Sequence, residues 1–267
     1  MRRLLLAAAI LGTATCAQAA DMPDYLRGSY GPVTVNWRGF YLGGQAGYGS
    51  SDANLNGSNS SMLAALISDD VIQQMGVAQW NLGLGKDSAR APGYGAFTGY
   101  NWQWDDVVAG VEMSYLHGSF GGKSTAFKEL VGGPLSDNFF HDVSVTSSSE
   151  ISISDMATFR ARAAYAWGCF LPYAFAGFAL GNANITQSVL VTDAVSLTRF
   201  GSFTQLAPLS ADSAIHNHLI YGYTAGLGID INLYAGLFMR AEWEYVRFTD
   251  IIDTSINTVR VGLAYKF

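Results

Sequence analysis

Cysteine is nearly missing from this chain. Only Cys16 and Cys169 occur in 267 residues, and the first falls in a stretch that reads as a removable leader. "MRRLLLAAAILGTATCAQAAD" has a positive start at Arg2 and Arg3, an apolar stretch from Leu4 to Leu11 and a small-x-small site at Ala17-Gln18-Ala19. Cleavage is expected after Ala19, with Ala20 as the alternative. Lipidation at Cys16 is disfavoured, because the "TAT" before it lacks a large aliphatic residue. The mature chain then keeps Cys169 alone, which excludes an intramolecular disulfide even in an oxidising compartment.

Basic charge is scarce as well. The formal net charge is −6, and loss of Arg2 and Arg3 with the leader takes it to −8. That balance argues against a nucleic-acid partner. No proline-rich or charged linker divides the chain. Long apolar runs are few, and the leader's is too short to cross a bilayer as a helix, which takes about 20 residues. Residues 163–181, "AAYAWGCFLPYAFAGFALG", are uncharged and long enough, but Pro172 and three glycines interrupt them. A single helix there would also leave the rest of the chain unexplained, so the segment reads as a hairpin.

What is abundant is glycine, with 30 residues, and aromatics at 13%, arranged in strict alternation. Successive strand side chains face opposite ways, so a period of two predicts one apolar and one polar face. Eight segments carry it: "RGFYLGGQAGYG", "GYGAFTGYNWQ", "VVAGVEMSYLH", "MATFRARAAYAW", "PYAFAGFALG", "HLIYGYTAGLGIDI", "LFMRAEWEYVRF" and the closing "NTVRVGLAYKF". In the last, Val259, Val261, Leu263, Tyr265 and Phe267 share one parity. Residues 20–36 precede the first segment and read as a short extended lead-in.

The connections alternate in length. "WDD", "GCFL" and "NLYAG" are tight, whereas 50–92, 118–150 and 182–216 are long and rich in Ser, Asn, Asp and Gly. Short turns at one end and long loops at the other is the connectivity of an outer-membrane barrel. In hydrocarbon every backbone polar group must be satisfied within the protein, so strands cross only as a closed sheet. The expected fold is therefore all-β: an eight-stranded antiparallel up-and-down transmembrane barrel over 37–267, with short periplasmic turns and long extracellular loops.

Taken in order, "WRGFYLGGQAGYG", "AFTGYNW", "AGVEMSY", "FRARAAYAW", "PYAFAGFALG", "GYTAGLGIDI", "MRAEWEY" and "VRVGLAYKF" resemble the alphaproteobacterial outer membrane immunogenic or porin-like proteins, a small β-barrel family. The resemblance covers most strands and none of the three long loops. It implies a Gram-negative outer-membrane location, with lipid and lipopolysaccharide as surroundings. It also implies that Phe267, with Tyr265, Leu263, Val261 and Val259, forms the signal recognised by the barrel-assembly machinery.

The residues able to carry chemistry sort by parity. Glu112, Arg160, Arg162, Arg240, Glu242, Glu244 and Arg260 all fall on the inward side, since a lipid-facing Arg near the midplane costs about 2–4 kcal/mol. Eight strands enclose an interior that side chains just fill, so these charges predict a packed polar core, with a narrow selectivity constriction as the alternative. Inward Phe97, Phe175 and Ile220 favour a plugged lumen. His117, His141, His216 and His218 lie at strand tops or in loops, without the spacing of a metal or heme site, and no cofactor is expected. "GSFGGKS" misses the phosphate-loop register by one residue. "SMLAALISDDVIQQMG" in the first loop has helical spacing.

No base, nucleophile and orienting group are anchored together in the strands, so an enzyme is not expected. The expected function is a structural surface barrel that stabilises the outer membrane and displays loops, surface-antigen fashion. A small porin is the alternative, and a loop-mediated adhesin or heme receptor for a host or surface ligand a further one.

Overall fold

The computed structural model describes residues 35–68, 70–249 and 252–267. The expected leader and all but the last residues of the expected lead-in lie outside them. The strands in chain order are β1 (Gly39–Asn54), β2 (Lys86–Trp104), β3 (Val107–Gly132), β4 (Phe140–Tyr165), β5 (Phe170–Ser196), β6 (Thr204–Gln205), β7 (Leu209–Tyr234), β8 (Leu237–Phe248) and β9 (Thr254–Lys266). The two residues of β6 only edge the tip of β5. The other eight pair antiparallel with their chain neighbours, and β9 returns to β1 with Val259 opposite Tyr48. The ring is closed, so no strand edge is left to be satisfied by water or lipid.

Alternation puts the apolar parity outside. Along β9, Val259, Val261 and Leu263 are 61%, 59% and 56% exposed, whereas Thr258, Arg260 and Ala264 are 1%, 2% and 3%. Phe40, Leu42, Val111, Met113, Phe159, Phe178, Leu227 and Trp243 continue the outer belt. The three tight connections are where expected. Asp105 (φ 50°) turns β2 into β3, and Ala235 and Gly236 (φ 42° and 91°) turn β7 into β8. Left-handed residues of this kind match the right-handed twist of paired strands. The uncharged 163–181 segment is the β4–β5 hairpin.

The long loops are corrected. Segments 118–150 and 182–216 are mostly strand: β3, β4, β5 and β7 run 26, 26, 27 and 26 residues, about twice the 9–11 that a tilted crossing requires. They rise beyond the barrel as a four-stranded sheet, and the true connections shrink to 133–139 and 197–208. The sequence concealed this because the alternation slips. Register shifts lie between His117 and Phe120, between Ile153 and Asp155, and between Ala183 and Ile185. On β4 the buried positions pass from even (156, 158, 160, 162) to odd (143 to 153). A β-bulge inserts one residue and so reverses the parity above it.

The 50–92 segment is strand at both ends, with β1 reaching Asn54 and β2 starting at Lys86. Between them, helix α1 (Ser60–Leu66) and 3-10 turns at Val71–Met75 and Val77–Gln79 replace the single helix that the spacing suggested. Leu63, Ile67, Ile72 and Val77 bury against Val143, Val145, Val189 and Val191 of the raised sheet. Cys169 lies beside the β4–β5 turn, where its carbonyl accepts from the Asn232 amide at 2.9 Å.

Candidate functional site: the charged lumen

All seven charges assigned to the lumen meet in one cluster. Arg160 and Arg162 come from β4, Glu112 from β3, Arg240, Glu242 and Glu244 from β8 and Arg260 from β9. None is more than 4% exposed. Glu112 sits at the centre: its Oε1 accepts from Arg160 Nε at 2.9 Å, and its Oε2 accepts from Arg240 Nη1 at 2.7 Å and Arg162 Nη1 at 3.2 Å. Arg160 also reaches Glu242 at 2.8 Å and Glu244 at 3.1 Å, and Arg260 pairs with Glu244.

The eighth charge was missed. Asp230 on β7 accepts from Arg240 Nε at 2.7 Å and from Arg162 Nη2 at 2.7 Å. Its parity puts it inward with Thr224, but on this glycine-rich strand it is a lone carboxylate with no charged neighbour of its own parity. With it the cluster holds four arginines and four carboxylates and is formally neutral. Two phenols complete it: Tyr41 donates to Glu112 at 2.6 Å and Tyr173 to Glu242 at 2.7 Å.

The same rings pack the guanidiniums. Arg160 lies 4.1 Å above Phe175, Arg162 3.9 Å above Tyr173 and Arg240 4.0 Å above Phe97, contacts a buried guanidinium gains by its weak hydration and planar π face. Glycine makes the room. A Cβ at Gly228 would strike the Tyr173 ring, and one at Gly99 the Tyr41 hydroxyl. The inward glycines of β2 and β7 are thus set by the aromatics opposite.

Apolar layers close the lumen on both sides of the charges. Below, Trp37, Val108, Leu171 and Phe238 form the periplasmic floor; Trp37, just before β1, accepts through its carbonyl from Asn101 and donates its N–H to Gln103. Above, Leu116, Phe120, Ile153, Ile220, Phe248 and Ile256 form a lid of side chains. Phe97, Phe175 and Ile220 are buried, as their parity implied.

The remaining candidates lie elsewhere. Val259, Val261, Leu263, Tyr265 and Phe267 line the outer face of β9, and the Phe267 amide donates to Phe40 O at 2.9 Å. His117 Nδ1 is 2.8 Å from Asp155, whose other oxygen accepts from Ser154. His141 is fully buried at the outer end of β4, 2.8 Å from Asp193 and 2.9 Å from Asp137. Burial opposes its charge, but hydrogen bonds to Asp193 and Asp137 outweigh this and raise its pKa above the ordinary 6.5. His216 and His218 lie on the raised part of β7. Among the described residues no group of three or more His, Cys, Asp or Glu is arranged to hold a metal.

A closed antiparallel ring with an apolar outer belt and a charge-balanced interior defines a transmembrane barrel of the outer membrane. The chain belongs to the outer membrane protein beta-barrel domain family, whose model matches residues 5–267. It is 25% identical to the 25 kDa outer-membrane immunogenic protein of Brucella ovis, over 99% of this chain and 96% of that one. It is 26% identical to the 22 kDa outer membrane protein of Rhizobium leguminosarum bv. viciae, over 87% and 79%. Among solved structures, Ail of Yersinia pestis, in complex with the heparin analogue sucrose octasulfate, aligns at TM-score 0.35 and 14% identity, over 86% of this chain and 99% of that one. Neisserial surface protein A aligns at TM-score 0.34 and 12% identity, over 85% and 97%. The protein is an integral β-barrel of the Gram-negative outer membrane.

Proposed function

We propose that the protein is a non-conducting structural and surface barrel: its lower half anchors in lipid and its raised sheet presents a surface to the outside. One observation carries this reading. The lumen is filled through its depth, with a neutral network of eight charges between two apolar layers. Ions would have to displace bonded guanidiniums and carboxylates, and breaking a buried pair costs about 3–5 kcal/mol. Acyl chains and lipopolysaccharide are the partners of the outer belt, and the barrel-assembly machinery is the partner of β9 during biogenesis.

A narrow channel is the competing reading. Purified protein in a planar bilayer is expected to give no discrete conductance steps, and reproducible ohmic steps would overturn the proposal. We assign no catalytic role. The Ser154 hydroxyl bonds to the Asp155 carboxylate that also engages His117, an order that does not put a base on a nucleophile.

A further inference from the structure

We propose that the extracellular side carries a binding site for an uncharged saccharide, in a cavity of about 410 Å³ between the β1–β2 connection and the raised part of β4. Its volume falls in the usual range for small-ligand sites, about 300–1,000 Å³, with room for a mono- or disaccharide. The proposal goes beyond the structural role and uses only the extracellular placement of that connection.

The lining chemistry selects the ligand. Asn56, Gln79 and Asn81 supply amide groups and Trp80 an aromatic surface, while Asn59 and Ser147, buried and bonded to each other, form the floor. Among the described residues no Asp, Glu, Lys or Arg lines the cavity, so a charged ligand would lose hydration without a counter-charge. A purely apolar ligand would strand the amides. A neutral pyranose offers what this lining can use: hydroxyls for side chains that both donate and accept, and an apolar C–H face for the indole.

The walls are built rather than incidental. Asn59 is 1% exposed, and its amide nitrogen donates to Ser147 Oγ at 2.7 Å and Ser148 O at 2.8 Å. A third bond at 3.2 Å to Ser188 O on β5 locks the loop to the sheet. Asn56 and Asn81 accept from the amides of Gly85 and Gly83 through their side-chain oxygens. Their NH₂ groups have no protein acceptor among the described residues. Gly57 and Gly83 have left-handed φ of +72° and +61°, with open space where a side chain would project, which keeps the mouth clear. Lys128, outside the lining, stands 4.9 Å from the centre of the Trp80 ring and helps fix it.

The test is binding of the full barrel in nanodiscs to immobilised glycans: neutral oligosaccharides, their sulfated and sialylated counterparts, and core and O-chain saccharides released from lipopolysaccharide. Neutral glycans are expected to be retained, and at least tenfold more weakly by Trp80→Ala and Gln79→Ala. Gln79 is exposed and takes part in no side-chain bond among the described residues, so Q79A separates ligand contact from folding; heat-modifiable migration on a gel checks that both variants form barrels. Retention of the lipopolysaccharide saccharides would place the ligand on the protein's own cell surface, and retention of the others alone on a foreign one. No retention of neutral glycans, preference for sulfated or sialylated ones, or wild-type binding by both variants would each overturn the proposal. Conductance is not involved, so this outcome is independent of the one that tests the closed lumen.

Discussion

Glu112 holds the lumen together more than any other residue, because three guanidiniums and the Tyr41 phenol converge on its two oxygens. Glu112→Gln would leave a buried cluster with one uncompensated positive charge. The expected loss is about 3–5 kcal/mol, read as a lower unfolding midpoint in detergent; an unchanged midpoint would mean that water reaches the network. His141 makes a second prediction. A histidine whose pKa is raised by folding stabilises fully below its unfolded value, and this stabilisation disappears as pH climbs through the folded value. The tie from the β3–β4 connection to β5 should therefore be firm at pH 6 and loosen as pH rises above the ordinary 6.5. Hydrogen-exchange protection across 133–141, corrected for the intrinsic pH dependence of exchange, should fall over that range in the wild type and lose this pH step in His141→Gln. At this scale parity was legible, since a charge on the lipid side is too costly, and it placed seven of the eight lumen charges. The partners were not legible. That Tyr41 donates to Glu112, or that His141 lies between two carboxylates, depends on strands far apart in sequence.

Among the elements, β4 shows most clearly where reading the sequence stops. Its lower half alternates in the barrel's parity and was recognised; its upper half alternates in the opposite parity after the bulge at Ser154–Asp155 and passed for loop. Deleting Ser154 removes the extra residue, so one alternation then runs the length of β4, and Val143, Val145, Ile151 and Ile153 keep the face they share with Met156. The surface that Leu63, Ile67 and Ile72 cover should survive. The barrel should still form and shift on heating, and the raised sheet should resist protease as in the wild type. Loss of that resistance would show that the bend at the bulge, and not only its change of parity, positions the sheet. Helix α1 followed the same pattern. Its apolar spacing is visible in the sequence, but the helix ends at Leu66 and 3-10 turns continue the burial through Ile72 and Val77.

For the whole molecule, closure decides everything. β9 finds β1 across more than 200 residues of chain, and the belt of outward side chains becomes continuous only then. If the final strand is also an assembly address, removing Phe267 should lower the fraction of protein assembled in the outer membrane while refolding into detergent proceeds normally. Equal failure in both would make Phe267 a wall residue alone. The sequence by itself determined the barrel, because lipid imposes a two-residue period and a closed sheet that can be recognised segment by segment. It also determined which charges face inward, since the same solvent forbids the alternative. Only the tertiary structure decided that the lumen is packed with side chains, that its charges balance and that half the strands continue outward. Those facts rest on cross-strand neighbours and on single-residue slips in register, and no local pattern encodes either.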